Sequence, residues 1–351
     1  MPLIDPTDLT FNGEEARTLQ DAIIESSFNN PAVADLMTVY DEIITKKQIP
    51  FLGRLSKITK KDAGCGTGIL SKNIPMTEKF WEPENVKIWL DMCAQELDGS
   101  FFVYLRRNGI DRDNLEGTEI ASYIVETMSE AASEDLLRII WFNDKAAANI
   151  SGGGVIKNGV SLTDYNIING IWKQIFAAVA IDPARRTAIS ENALATKAAQ
   201  LVLAPSKALT TFQAMVAGSD SRLIESPDKI IIATRTLVEN YATYLESQGA
   251  DASFVRIENG YVTLRYRDIM IFGYNFWDRT IQADFDNGTT YDLPHRALLT
   301  TAANLAVGYD LSSDVGVVEA WYEKMTEKMN FRGKYRVDAK MMQEYMFQAA
   351  Y

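Results

Sequence analysis

From Thr118 to Asn143 apolar residues recur every three or four positions: Ile120, Ile124, Met128, Ala131, Leu136, Leu137, Ile140 and Trp141. That period predicts one long helix with an apolar stripe. Thr118 suits its N-cap, and Glu119 stands in a first turn where the helix dipole favours an anion. The helix would run roughly 39 Å at 1.5 Å per residue, the length of a structural beam. Gly152-Gly153-Gly154 predicts a loop after it. Residues 164–218 repeat the helical spacing, with Ile168, Ile171, Trp172, Ile175 and Phe176 on one face. Ala193–Leu203 and Pro205–Val216 continue it, Pro205 fitting a helix start. Lys229–Ala233 (KIIIA) reads as a short buried strand, followed directly by a helix through Leu237, Tyr241 and Leu245 that Gly249 ends. Short strands dominate from Ser253 to Asp284, with turns at Gly260 and at Asp286-Asn287-Gly288. Residues 293–310 mix strand and loop. Lys334–Val337 is strand-like, and the apolar stretch Met341–Tyr351 reads as helix-like.

The first 110 residues have a different texture. Glu14–Glu25 and Leu36–Ile44 show helical spacing, broken at Asn29-Asn30-Pro31, with little to build a core. An arm lying on another surface is the expectation. Arg54–Lys61 mixes β-branched and basic residues, and Gly64, Gly66 and Gly68 follow. Ile74–Leu90 has extended features, ending in the alternation Val86, Ile88, Leu90. The pattern predicts a long two-stranded excursion with a glycine tip. Such a ribbon is marginal alone and needs a partner surface. Phe80, Trp81 and Trp89 are its expected adhesive residues.

Composition narrows the function classes. Of 351 residues, 47% are hydrophobic, with 15 Phe, 15 Tyr and 6 Trp, which excludes a mainly disordered chain. No run approaches the ~18 apolar residues of a membrane span, and the first residues lack the basic start and apolar core of a secretory signal. The net charge of −12 disfavours a broad phosphate-binding face. Two cysteines, Cys65 and Cys93, exclude a disulfide scaffold and fit a reducing compartment. With a single histidine, His295, a Ser-His-Asp or Cys-His catalytic set has one candidate base, and a zinc site lacks its usual donors.

Local motifs carry two readings each. Asp62-Ala-Gly64-Cys-Gly66-Thr-Gly68 resembles the glycine-rich first motif of S-adenosylmethionine methyltransferases, where glycines let the backbone approach the cofactor. That motif needs an apolar strand before it and a helix after it. Ser56–Lys61 is not such a strand, and Asn73-Ile74-Pro75 stops a helix after about a turn, which favours a loop tip. A class I methyltransferase using Asp62–Gly68 stands as the alternative. Asp111-Arg112-Asp113 fails as a calcium loop, because Leu115 and Glu116 stand where an oxygen ligand and a glycine are needed. Glu78, Glu82 and Glu84 read as an exposed acidic face. His295 reads as a hydrogen-bonded structural residue, and Trp172, Phe176, Tyr241 and Tyr244 as core. No cofactor or metal is expected.

The order of elements — arm, ribbon with glycine tip, long helix, helical block, strand-helix-strands, closing strand — resembles the major capsid protein of tailed bacteriophages, a fold shared with herpesvirus capsids. Arg54–Trp89 would match its extended loop (E-loop) and Thr118–Asn143 its spine helix. Ser226–Ala233 resembles the axial-domain strand that opens onto a helix, and Arg265–Ile271 a short strand after it. Leu293–Gly308 resembles the late strand-and-loop segment, in texture that of phages infecting Bacteroidetes. The resemblance implies an α+β fold divided as follows: arm 1–50, E-loop 51–110, peripheral (P) domain with spine helix 111–165, axial (A) domain 166–300, and return to the peripheral domain 301–351. It also implies a non-enzymatic shell protein that assembles through pentamers and hexamers into the icosahedral head of a virion, built in the host cytoplasm. Its partners would be itself and other capsid, portal or decoration proteins, around double-stranded DNA held without sequence-specific contacts and with no membrane. Gly64, Gly66, Gly68, Phe80, Trp81 and Trp89 would be the inter-subunit residues. The first 50 residues lack a basic coiled-coil scaffolding segment, which implies a separate scaffold or none.

Overall fold

The computed structural model describes residues 33, 35–52, 76–93, 117–150, 154–249, 256–258, 261–310, 319–323, 325 and 328–351. The expected helix Glu14–Glu25, the glycines Gly64, Gly66 and Gly68, the Asp111–Asp113 turn and Gly260 lie outside them.

Two sheets and one long helix organise the chain. The first sheet has five strands: β1 (Thr38–Tyr40), β4 (Glu84–Cys93), β11 (Leu305–Asp310), β12 (Glu319–Glu323) and β13 (Lys328–Met341). β13 is its axis. One edge pairs antiparallel with β4, from Lys328↔Cys93 to Val337↔Glu84. Its other edge takes β12 and then β11. β1 adds parallel to β11. The side-chain period of two decides the faces. Tyr335, Val337 and Ala339 point into the core, and Arg332, Lys334 and Arg336 alternate with them on the other face. The pattern gives β13 one apolar face and one polar face along Arg332–Arg336.

Against the inner face lie α1 (Gly117–Phe142) and α2 (Ile171–Ile181). The 26-residue α1 matches the helix that the apolar spacing predicts. Trp277 meets Trp141 at 4.7 Å and Trp172 at 5.0 Å between ring centroids, both edge-on, as ring quadrupoles favour.

The second sheet has seven strands in the order β5-β14-β10-β6-β9-β8-β7. They are β5 (Arg186–Thr187), β6 (Lys229–Ala233), β7 (Arg256–Glu258), β8 (Tyr261–Tyr266), β9 (Ile269–Gly273), β10 (Ala297–Thr301) and β14 (Phe347–Ala350). Both faces are covered around β6 and β10. Ile231, Ala233 and Leu299 face α3 (Lys207–Gly218) and α4 (Arg235–Ser247), while Ile232 and Leu298 face the α1–α2 cluster. Burial on both sides is the reason KIIIA is a continuous apolar run. α5 (Asn275–Asp284) follows β9 directly, and its Asp278 carboxylate accepts the Arg235 N–H at 2.7 Å, satisfying an orphan donor of α4.

Four expectations change. Leu36–Ile44 is no helix: Thr38–Tyr40 is a strand, and Val33, Leu36, Met37 and Ile43 are buried, so this part of the arm belongs to the core. Met341–Tyr351 ends in a strand whose four residues are all buried, because β10 has a free edge to pair. Residues 301–351 therefore divide between both sheets. Ala193–Leu203 forms only one α-turn, Lys197–Gln200. β4 is not part of the ribbon; Val86 turns into the core, which places the strand in the five-stranded sheet.

His295 is fully buried, as expected of a structural histidine. Its Nε2 lies 2.7 Å from the Gln200 carbonyl, which can only accept, so the proton sits on Nε2. Nδ1 then accepts from the Thr236 hydroxyl at 2.7 Å. Burial lowers its pKa below 6.5. The unfolded chain therefore takes up the proton first, and the stability that neutral His295 contributes is complete above pH 6.5 and is lost as pH falls below it. Asp278 works the other way, since burial pushes its pKa up to about 6 and its protonation favours the folded chain. Thermal midpoints between pH 7.5 and 5.5 are expected to fall more steeply for the native chain than for His295→Gln; parallel curves would refute the assignment.

Candidate functional site

β2 (Lys47–Leu52) and β3 (Met76–Trp81) form a separate antiparallel ribbon, in register from Lys47↔Trp81 to Leu52↔Met76. Its far end leads into residues 53–75, which carry Gly64, Gly66 and Gly68. Its near end is seated on the outer face of the five-stranded sheet. Trp81 and Ile43 pack on Ala306 and Met342, and Ile49 closes the contact. Gly308 makes this close approach workable: a Cβ there would stand 2.9 Å from Ile43 Cγ1 and 3.0 Å from Trp81 Cζ3.

Polar contacts tie down the same seat. The Glu82 N–H donates to Asp338 Oδ2 at 2.7 Å, and Lys79 Nζ donates to the Met341 carbonyl at 2.8 Å. Arg336 bridges the Ile44 carbonyl at 2.6 Å and Asn85 Oδ1 at 3.0 Å. Asp338 is nearly inaccessible, and burial raises its pKa. Of the three acids read as an exposed face, Glu82 pairs with Lys46 at 2.7 Å and Glu84 with Lys145 at 2.6 Å. The Lys46 ammonium beside Glu82 holds that carboxyl below its usual range.

The aromatic residues separate. Trp81 is 3% exposed, so its indole is occupied within the chain and is not an adhesive for a neighbour. The reason is the gap that Gly308 leaves under it. Phe80, its neighbour on the opposite side of the ribbon, is 38% exposed beneath Lys46 Nζ at 4.9 Å. Trp89 is 50% exposed, but on β4, with Lys87 Nζ 3.7 Å over its ring. Tyr40 and Ile44, also well exposed, join this side of the molecule and were missed by sequence reasoning. Gly308 had a signal, since a glycine inside a strand marks close backbone approach.

Comparison with known proteins bears on this geometry. No family model matches the chain, and no curated protein sequence does. Solved structures do. A chain of the satellite phage P4 procapsid, determined with its size determination (Sid) protein, superposes with TM-score 0.58 at 13% identity, over 97% of this chain and 91% of that one. A chain from Gordonia phage Cozz gives 0.51 at 13% identity, over 90% and 84%.

The chain has the phage capsid fold.

The described strands on either side of residues 53–75 do not provide the setting that a methyltransferase motif needs. That motif would have to close a buried parallel strand, whereas residues 53–75 connect the two antiparallel strands of a hairpin, Leu52 opposite Met76. Among the described residues no group of His, Cys, Asp and Glu is arranged to hold a metal, and no helix is long and apolar enough to cross a membrane.

Proposed function

We propose that this chain is a shell-forming capsid protein that assembles through pentamers and hexamers into an icosahedral phage head around double-stranded DNA. The carrying observation is the end-to-end likeness to the P4 procapsid chain, because a fold shared over 97% of the chain leaves little of it for another role. The seated ribbon supports the reading. A two-stranded ribbon of this kind buries apolar residues beyond its base only on another molecule. Repeated contacts between identical subunits supply the stability that it lacks alone. The ribbon tip with Gly64, Gly66 and Gly68, together with Phe80 and Trp89, serves as the grip on a sister subunit. The role is structural and not enzymatic, and the place of action is the virion. Portal and decoration proteins are the further partners. A net charge of −12 suits a wall that must release its packed DNA.

Electron microscopy of the full chain, expressed and concentrated, tests this. Closed shells of uniform diameter are expected. A chain that stays at single-subunit mass at all concentrations would overturn the reading. The double variant Phe80→Glu with Trp89→Glu is expected to keep the native circular dichroism spectrum and to lose most particles in sedimentation. Normal shells from it would remove these two residues from the grip.

A further inference from the structure

A buried cation faces a cavity for which the shell reading has no use. Arg296, just before β10, is 1% exposed. Its Nε donates to the Leu293 carbonyl at 2.9 Å and its Nη2 to the Asp292 carbonyl at 3.0 Å, with the Asp292 carboxylate at 3.5 Å. A guanidinium has five N–H donors. The two on Nη1 meet no acceptor among the described residues. Around the group stand the rings of Trp172, Phe142 and Phe176, at 5.1, 5.5 and 5.6 Å. Burial draws its pKa down to about 10. A cation in apolar surroundings is costly unless paired, and the counter-ion of Arg296 here is the Asp292 carboxylate on Nη2.

Arg296 lines a cavity of about 710 Å³. The same three aromatics, with Phe285 and Leu293, make its other walls largely apolar. Asp144, Lys173 and Asp292 also line it; Lys173 pairs with Asp144 at 2.6 Å and Arg296 Nη2 with Asp292 at 3.5 Å, which leaves the Nη1 donors of Arg296 without an acceptor among the described residues. The volume falls within the ~300–1,000 Å³ of small-molecule sites, which combine apolar walls with a few placed polar groups.

We propose that this cavity binds a small organic acid with an apolar body, its carboxylate on the Nη1 donors of Arg296 and its hydrocarbon part against the aromatic walls. The proposal does not depend on shell formation and is tested on the unassembled full chain. Decanoate is titrated while tryptophan emission is followed, since Trp172 lines the cavity, with decanol as the uncharged control. Saturable binding of decanoate, at least about tenfold tighter than decanol, is expected from a charge-assisted contact. Arg296→Gln should remove that preference. Because Arg296 also ties down the 292–293 turn, a second variant leaves it intact: Ala177→Trp places an indole at an exposed lining position and should block both ligands. Equal affinity for decanol, unaltered binding in Ala177→Trp, or no saturation by about 1 mM would each overturn the proposal. Decanoate binding that disappears in assembled particles would assign the cavity to an acidic side chain of a neighbouring copy, and would overturn it too.

Discussion

Gly308→Val is expected to unseat the ribbon while leaving the seven-stranded sheet intact. The new Cβ would lie about 3 Å from the Ile43 side chain and the Trp81 ring, and its branches would fall closer still. Neither neighbour has room to retreat. Ile43 and Trp81 are both buried, and the Glu82 N–H on Asp338 holds the chain just beyond Trp81. Overpacking of this kind costs about 1–3 kcal/mol. The loss is local, because among the described residues the ribbon's contacts gather at this seat. Hydrogen exchange should therefore quicken roughly ten- to hundredfold in Lys47–Leu52 and Met76–Trp81. The Lys229–Ala233 strand should keep its protection. Under the shell reading the same variant assembles poorly, since a ribbon without a fixed base cannot present its tip. Unchanged exchange in the ribbon would show that the Gly308 contact does not position it.

Gly170→Ala is expected to cost about 3 kcal/mol or more, the upper part of the range for overpacking. Gly170 is the N-cap of α2, pressed against the last turn of α1. A Cβ would meet Asn143 N and Ile140 O at 2.9 Å and Trp141 C at 3.0 Å. All three are backbone atoms, of the last turn of α1 and the residue that follows it, so no side chain can turn aside. Relief requires moving α2 away, which stretches the 2.7 Å bond from the Gly170 N–H to the Asn143 carbonyl and separates Trp172 from Trp277. The thermal midpoint should drop by several degrees with altered near-ultraviolet circular dichroism. A midpoint within a degree of the native chain would mean that the two helices are not locked at this point.

Both cases turn on glycines that the sequence displays but does not rank. Gly64, Gly66 and Gly68 draw attention because they cluster, whereas Gly170 and Gly308 stand alone in unremarked surroundings. What makes the isolated pair decisive is the neighbour that each admits, and that neighbour comes from a segment distant in the chain. The aromatic residues divide in the same way. Trp81 and Trp89 carry the same side chain in one stretch of extended backbone. One is capped by the ribbon's own seat, and the other is open, because β4 passes into the five-stranded sheet after Trp81.

Local spacing determined the parts whose partners lie on one continuous face. The period of α1, the unbroken KIIIA strand, the helix behind it, the turn at Asp286-Asn287-Gly288 and the structural role of His295 all follow from short-range pattern and residue chemistry. Tertiary structure alone decided that the last residues pair as a strand on β10, that Leu36–Ile44 enters the core, that Trp81 is covered, and that Arg296 is buried beside an apolar cavity. Hydrophobic period records how often a chain meets an apolar surface, but not which surface. The choice between pairing, covering and exposure is made by segments far apart in the chain, once the sheets have fixed which of them are neighbours.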